Sequence, residues 1–217
     1  MSGFFITFEG IEGCGKSTQA MLLARALQEQ GHEVVTTREP GGTPTGQTLR
    51  QILLHSSETL LAPGTELLLM LADRAQHVQD VIAPGLREGK VVISDRFADS
   101  TTAYQGYGRG IALSLLTRLN AFACHGYTPS LTIVLDLPVM EGLNRASRRR
   151  GSGAAVDHFE AESVAFHERV REGFLAVARA EPQRVLVFNA QQPIEELHGD
   201  ILTLVQERLT EHRQRHL

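Results

Sequence analysis

Gly10-Ile11-Glu12-Gly13-Cys14-Gly15-Lys16-Ser17, with Thr18 next, sets two glycines, a lysine and a hydroxyl at the spacing G-x-x-x-x-G-K-[ST]. Each fixed position has a chemical reason. The glycines let the backbone curl so that successive N–H groups point at one anion. A helix beginning near Lys16 would aim the positive end of its dipole at the same point. Lys16 would then reach the outer phosphates of a nucleoside triphosphate, and the Ser17 hydroxyl would ligate Mg²⁺. Gly10 through Thr18 are therefore expected to bind ATP.

The magnesium side also calls for an acid at the end of a neighbouring strand. Two apolar runs supply one, Val91–Asp95 and Leu131–Asp136. Asp95 is the better candidate because Arg96 follows it. Arg38 likewise follows a strand-like run, and ligands of an open α/β sheet collect beyond the carboxyl ends of its strands. Two guanidiniums on that rim suit a second phosphate, since the planar fork binds phosphate oxygens in pairs. The plainer reading is pairing with surface carboxylates such as Glu39 or Asp99. Glu12 would repel a triphosphate if it pointed inward. It either aims at a sugar hydroxyl of an acceptor or faces solvent, and both readings stand. Arg145, Arg148, Arg149 and Arg150 precede the small-residue stretch Gly151-Ser152-Gly153-Ala154-Ala155. They read either as a solvated helix end or as a mobile lid that lowers arginines onto a transferring phosphoryl group.

These residues need a scaffold. Near-continuous apolar runs at Phe4–Phe8, Val91–Ser94, Leu131–Leu135 and Val185–Phe188, with a weaker one at Glu33–Thr37, read as strands buried on both faces. Helices are expected over Lys16–Gln30, Glu66–Leu86, Ala112–Ala123, Met140–Arg149, Ala161–Ala180 and Ile194–Arg208, the first stopping at Gly31. The alternation predicts an α/β fold with a doubly wound, parallel, five-stranded sheet flanked by helices. One domain spanning 1–217 is expected, with a lid near 145–158.

Composition narrows the class. Of 217 residues, 42% are hydrophobic and 21% charged, which argues against disorder. A net charge of −4 gives no general basic field, so no nucleic-acid partner is expected. Cys14 and Cys124 cannot build a disulfide framework or a four-thiolate zinc site. The nine histidines show no metal-ligand spacing and read as surface or packing residues, with His212–His216 a solvated helix end. No apolar run approaches the ~18 residues of a membrane span, and the first residues lack the features of a signal peptide. A soluble, cytoplasmic protein with no membrane partner is the expectation.

Four segments together carry a resemblance: Phe8-Glu9-Gly10 through Thr18, Arg38-Glu39-Pro40-Gly41-Gly42-Thr43, Asp95-Arg96-Phe97 and Ala103-Tyr104-Gln105-Gly106-Tyr107-Gly108-Arg109-Gly110. With them the chain resembles the bacterial thymidylate kinases, P-loop nucleoside monophosphate kinases that phosphorylate dTMP with ATP. The resemblance implies that Arg38 and Arg96 hold the dTMP phosphate and that Glu12 accepts the 3′-hydroxyl. It places Arg74 at the thymine edge with Thr101, Tyr104 and Gln105 nearby, and Tyr104 under the sugar. Catalysis would fall to Lys16, Arg96 and the lid arginines Arg148, Arg149 and Arg150. Gly13 stands where some members carry an arginine, which gives the lid that charge. Ser17 and Asp95 would hold Mg²⁺. A homodimer through a helical face, such as Leu67–Val81, is implied as well.

The chain departs from the family at three places. Met70 stands where relatives stack an aromatic ring on thymine; its sulfur can lie against a ring, or it packs in the core. The lid junction separates Gly151 from Asp157 by five residues, with His158 where arginine is usual. Cys14 replaces a common alanine. Direct in-line transfer without a covalent intermediate is the mechanism expected. The alternatives are a kinase for another pyrimidine nucleoside monophosphate, a nucleotide-dependent binding switch, or an inactive ATP-binding remnant. A guanine-reading Asn-Lys-x-Asp segment is absent from the sequence.

Overall fold

The computed structural model describes residues 3–54, 61–150, 159 and 162–215, without the side chains of 149, 150 and 215. Five parallel strands form one sheet in the order β2-β3-β1-β4-β5. They are β1 (Phe4–Glu9), β2 (Val34–Arg38), β3 (Val91–Asp95), β4 (Leu131–Asp136) and β5 (Val185–Asn189). The central β1 is buried along its whole length, as its unbroken apolar run predicts. Alternate residues serve opposite faces: Phe4, Ile6 and Phe8 join one core with Leu23 and Leu27, while Phe5 joins Val92, Val78, Ile82 and Phe97 in another.

The register matters for chemistry. Phe8 pairs with Asp95, and Arg38 pairs with the same Asp95 from the other side. The ends of β1, β2 and β3 therefore finish level, and whatever follows each strand emerges on one rim.

The helices are α1 (Lys16–Glu29), α2 (Pro44–Leu54), α3 (Pro63–His77), α4 (Ala83–Arg87), α5 (Ala98–Thr101), α6 (Leu113–Ala123), α7 (Val139–Arg150), α8 (Val164–Ala180) and α9 (Ile194–Arg215). Gly31, at φ +83°, closes the first helix as expected. Ser163 caps α8 by accepting from Phe166 N–H, which starts that helix later than the sequence pattern suggests.

Further elements differ from expectation. Helix α2 carries only Gly46 and Leu53 as buried residues, too few to print an apolar stripe on the sequence. The stretch expected as one helix over Glu66–Leu86 begins at Pro63 and passes through a π-helical turn, Val78–Ile82, before α4. There Ala83 N–H reaches back to Val78 C=O, and Pro84, which has no N–H to donate, follows at once. Finally, α5 runs straight into a second π-helical stretch, Thr102–Gly108, over residues whose glycines and lack of period conceal a helix. The last helix also runs past the expected Arg208, and His212 packs edge-on to the Phe4 ring at 5.2 Å rather than standing wholly in solvent.

The expected lid falls mainly on residues 151–158, which lie outside the described set, as do the side chains of Arg149 and Arg150. The described Arg145 pairs with Glu141 and donates to Ala190 C=O, and Arg148 is exposed.

Candidate functional site

A cavity of about 330 Å³ opens where β1, β2 and β3 end. Its walls include Lys16, Ser17, Glu12, Arg38, Asp95 and Arg96 on one side and Met70, Arg74, Thr101, Tyr104 and Gln105 on the other. Glu12 and Tyr104, 92 residues apart in sequence, meet here.

The Gly-rich turn leaves β1 and enters α1 with Gly10, Gly13 and Gly15 all at positive φ. Lys16 is 7% exposed, and its ammonium donates to Gly10 C=O (3.1 Å) and Ile11 C=O (2.7 Å). Ile11 and Cys14 turn their side chains into the core, and the Cys14 sulfur also accepts from the Lys16 ammonium at 3.5 Å. Thr18 is exposed on α1. Gly13 is required for a second reason. A Cβ there would meet Gly142 C=O of α7 at 2.1 Å, so the arginine that some relatives carry at this position has no room.

Of the two strand-end aspartates, the fold brings Asp95 to the loop. The Ser17 hydroxyl donates to Asp95 Oδ2. Asp136 instead makes a two-point pair with Arg171 at 2.7 and 2.9 Å and lies off the cavity.

Arg96 adopts φ +75°, a conformation rarely taken by a side chain of its size. Such a backbone costs about 1–3 kcal/mol and persists only where its surroundings hold it. Here Nη1 donates to Gly10 C=O and Ser100 Oγ, both at 3.0 Å. Nη2 reaches Glu12 Oε1 at 3.2 Å and the Tyr104 hydroxyl at 3.1 Å, with the guanidinium 4.9 Å above the Tyr104 ring. The surface pairings considered for the two arginines do not form: Glu39 binds Arg74 and His77, and Asp99 binds Arg184. Arg38 stays exposed at the cavity rim.

Glu12 does not face bulk solvent. Its Oε1 also accepts from the Tyr104 hydroxyl at 2.5 Å. Burial alone would raise its pKa. The adjacent His167 ring, the charges of Arg96 and Lys16 and the Tyr104 hydroxyl outweigh that and bring it to about 2. Its strand neighbour Glu9 behaves oppositely. Burial and the nearby Asp99 push Glu9 up to about 8 while it accepts from Phe97 N–H (2.7 Å) and Ser100 Oγ (2.6 Å).

Arg74 is 2% exposed and works against its neighbours as well as the cavity. Nε donates to Glu39 at 2.9 Å, Nη1 to Thr101 and Asn120 at 2.8 Å, and Nη2 to Phe97 C=O at 3.0 Å. Its guanidinium is thus a fixed part of the wall, set by β2, α5 and α6 together. Met70 is half-buried, one turn before it, and leans on the core.

Several lining residues escape the sequence reading. Arg50 and Leu54 come from the unforeseen α2, and Arg50 donates to Pro40 C=O at 2.9 Å. Phe159 closes another side and meets the Tyr104 ring edge-on. Two histidines are neither surface nor plain packing residues. His77, fully buried, bridges Thr37 and Glu39, and His167, also fully buried, stands 3.3 Å from Glu12. Only the Arg-Glu-Pro segment offered a signal, since it places Glu39 beside the rim.

A phosphate-loop motif with Lys16 and a second set of guanidiniums, Arg38 and Arg96, opening on one cavity at the rim of a parallel sheet are the arrangement of a P-loop kinase for small molecules. Comparison with known proteins narrows this. The family model for thymidylate kinase matches residues 8–201. The chain is 50% identical to the thymidylate kinase of Geotalea uraniireducens over 211 residues, covering 96% of this chain and 99% of that one. It is 53% identical to that of Geobacter sulfurreducens over 195 residues, 89% and 92% of the two chains. A crystal structure of thymidylate kinase from Ehrlichia chaffeensis superposes with a TM-score of 0.77 at 37% identity, covering 95% of this chain and all of that one. The chain belongs to the thymidylate kinase family.

Proposed function

We propose that this protein transfers the γ-phosphoryl group of ATP to dTMP, giving ADP and dTDP for deoxynucleotide biosynthesis. The observation that carries the reading is Arg96: on a strained backbone, its tethered guanidinium faces the same cavity as Lys16 and is bound to Glu12 and Tyr104.

ATP lies along the loop Gly10–Thr18, with Lys16 swinging from its carbonyls to the outer phosphates. The dTMP phosphate lies between Arg38 and Arg96, and its 3′-hydroxyl donates to Glu12, whose low pKa keeps it an acceptor at neutral pH. Tyr104 and Phe159 crowd the sugar's 2′ side. The base enters between Met70 and Arg74 on α3 and Thr101 and Gln105 opposite. Positive side chains bring two anions together, and positioning does most of the rest. Arg148, Arg149 and Arg150 supply further charge from the lid, because Gly13 leaves no room for it in the loop.

Ser17 and Asp95 present hard oxygen donors side by side, which fits Mg²⁺, a cation bound through one or two protein oxygens plus phosphates. Among the described residues no group of three or more acidic, histidine or cysteine side chains could hold a metal by itself. When bound, Mg²⁺ neutralises charge on the β- and γ-phosphate oxygens.

Among the described residues no helix is long and apolar enough to cross a membrane. Leu67 and Leu71 of α3 pack inward on Leu116. Leu68 of α3 and Leu115 and Phe122 of α6 stay exposed and are the apolar surface for a homodimer.

A coupled ADP-release assay with dTMP, dUMP, dCMP, dGMP and UMP tests the reading. ADP formation should require dTMP, fall by about 10²-fold or more in Lys16→Ala and lose mainly kcat in Arg149→Ala. Met70 favours the second reading, another pyrimidine monophosphate; comparable turnover of UMP would establish it instead.

A further inference from the structure

Across the cavity from the phosphate loop, two stripes of side chains face each other. Glu66, Met70 and Arg74 recur at every fourth residue of α3 and share one face. Thr101 and Gln105 follow one another along α5 and the π-helical stretch opposite, with Arg109 at its C-terminal cap. The stripes are bonded at both ends. Arg74 Nη1 donates to Thr101 at 2.8 Å, while Glu66 accepts from Gln105 Nε2 at 2.9 Å and from Arg109 Nη2 at 2.8 Å. Gln105 lines the cavity, and Glu66 lies fully buried behind it.

A primary amide has a donor end and an acceptor end, and turning it over exchanges them. A carboxylate only accepts. Glu66 therefore takes the nitrogen of Gln105 and excludes its oxygen. Arg109, paired also with Glu162 and lying 4.6 Å over the Phe166 ring, keeps Glu66 where it is. With its nitrogen bonded to Glu66, the Gln105 amide has its carbonyl oxygen, an acceptor, at the opposite end.

We infer that Glu66 is a specificity-determining positioning residue, locking the Gln105 amide so that the cavity accepts bases with an N–H at ring position 3. Thymine and uracil carry that donor. Cytosine has a bare nitrogen there, and its lone pair would meet the amide oxygen. A site built around a hydrogen bond rejects the analogue lacking the partner far more strongly than an apolar slot does. The inference rests on the dTMP reading above and adds a residue that never touches the substrate.

Glu66→Gln tests it. The new amide can accept from or donate to Gln105, so Gln105 can turn over and offer its N–H₂ to cytosine. The ratio of kcat/KM for dTMP to that for dCMP should fall about tenfold or more. The ratio of dTMP to dUMP, which share the N3 donor, should not change. Both results together support the inference. An unchanged dTMP-to-dCMP ratio, or equal losses on all three substrates, would overturn it, since a structural role alone lowers them in parallel. Wild-type enzyme that turned over dCMP as well as dTMP would overturn it too. Should Glu66→Gln fail to fold, Glu66→Asp retains the charge toward Arg109, withdraws the acceptor by one methylene and gives the same ratios. Wild type lacking any dTMP-dependent ADP formation would sink the functional reading itself, a distinct outcome.

Discussion

Arg96 Nη2 sits 3.2 Å from Glu12 Oε1, and the Tyr104 hydroxyl touches both. The three side chains come from the phosphate loop, the end of β3 and a π-helical stretch. Each partner has more than one hold on the others, so the strained backbone at Arg96 is kept in place by the loop it serves. Arg96→Ala should lower kcat/KM for dTMP by about 10²–10³-fold while KM for ATP changes little. Unchanged kinetics would mean that the acceptor phosphate binds elsewhere.

Lys16 is the only described lysine in the cavity wall, and its ammonium already rests on the loop that would hold ATP. Lys16→Ala should cost about 10²–10³-fold or more in kcat without lowering thermal stability. Single-turnover rates at saturating ATP separate this from lost binding. A wild-type rate would remove the lysine from the chemistry.

Gly13 and Gly142 touch backbone to backbone: a Cβ at Gly13 would meet Gly142 C=O at 2.1 Å, and one at Gly142 would meet Glu12 C=O at 2.5 Å. Gly13→Ala should therefore cost more than the about 1–2 kcal/mol of a left-handed backbone alone. Because α7 would be pushed from the loop, KM for ATP should rise in step with the fall in Tm. An alanine variant with wild-type melting would show that the two segments separate freely.

Glu9 supplies a pH dependence of definite sign. Its carboxyl ionises near 4.5 when unperturbed and near 8 in the folded protein, because burial and Asp99 disfavour its charge. Between those values the native state binds more protons than the unfolded state, so stability falls as pH rises. Asp73, pushed up to about 6 by burial and Glu39, acts in the same direction over a lower range. Glu9→Gln still offers an oxygen to Phe97 N–H but cannot ionise. Its Tm should fall less steeply than that of wild type from about pH 5 to 8. Parallel curves would exclude Glu9 as the source.

Met70 lines the cavity, at the end proposed for the base. Aromatic pairs gain about 0.5–1.5 kcal/mol beyond the area they bury. Met70→Phe should lower KM for dTMP by about two- to tenfold with kcat nearly constant. A raised KM would indicate that the slot is shaped to the thioether.

The parallel sheet and the phosphate loop were legible because both are local signals. Unbroken apolar runs announce strands buried on two faces, and a glycine-lysine-hydroxyl spacing needs no distant partner. Arg38, Asp95 and Arg96 were legible for a related reason, since a strand end is a place on the sequence as well as in space. Helix α2 and the π-helical stretch were not, because α2 buries too little to show a period and π turns lack one. Arg50, Phe159 and the buried His77 and His167 went unseen with them.

Local spacing by itself determined which residue types could grip phosphates and on which rim they would emerge. Only the packed chain decided between Asp95 and Asp136, turned Glu12 toward Arg96 and Tyr104, and set Glu66 behind Gln105. The physical reason is that a buried polar group must find its partner across the fold. Such pairings join residues from 39 to 92 positions apart, a separation on which no periodic pattern along the chain bears.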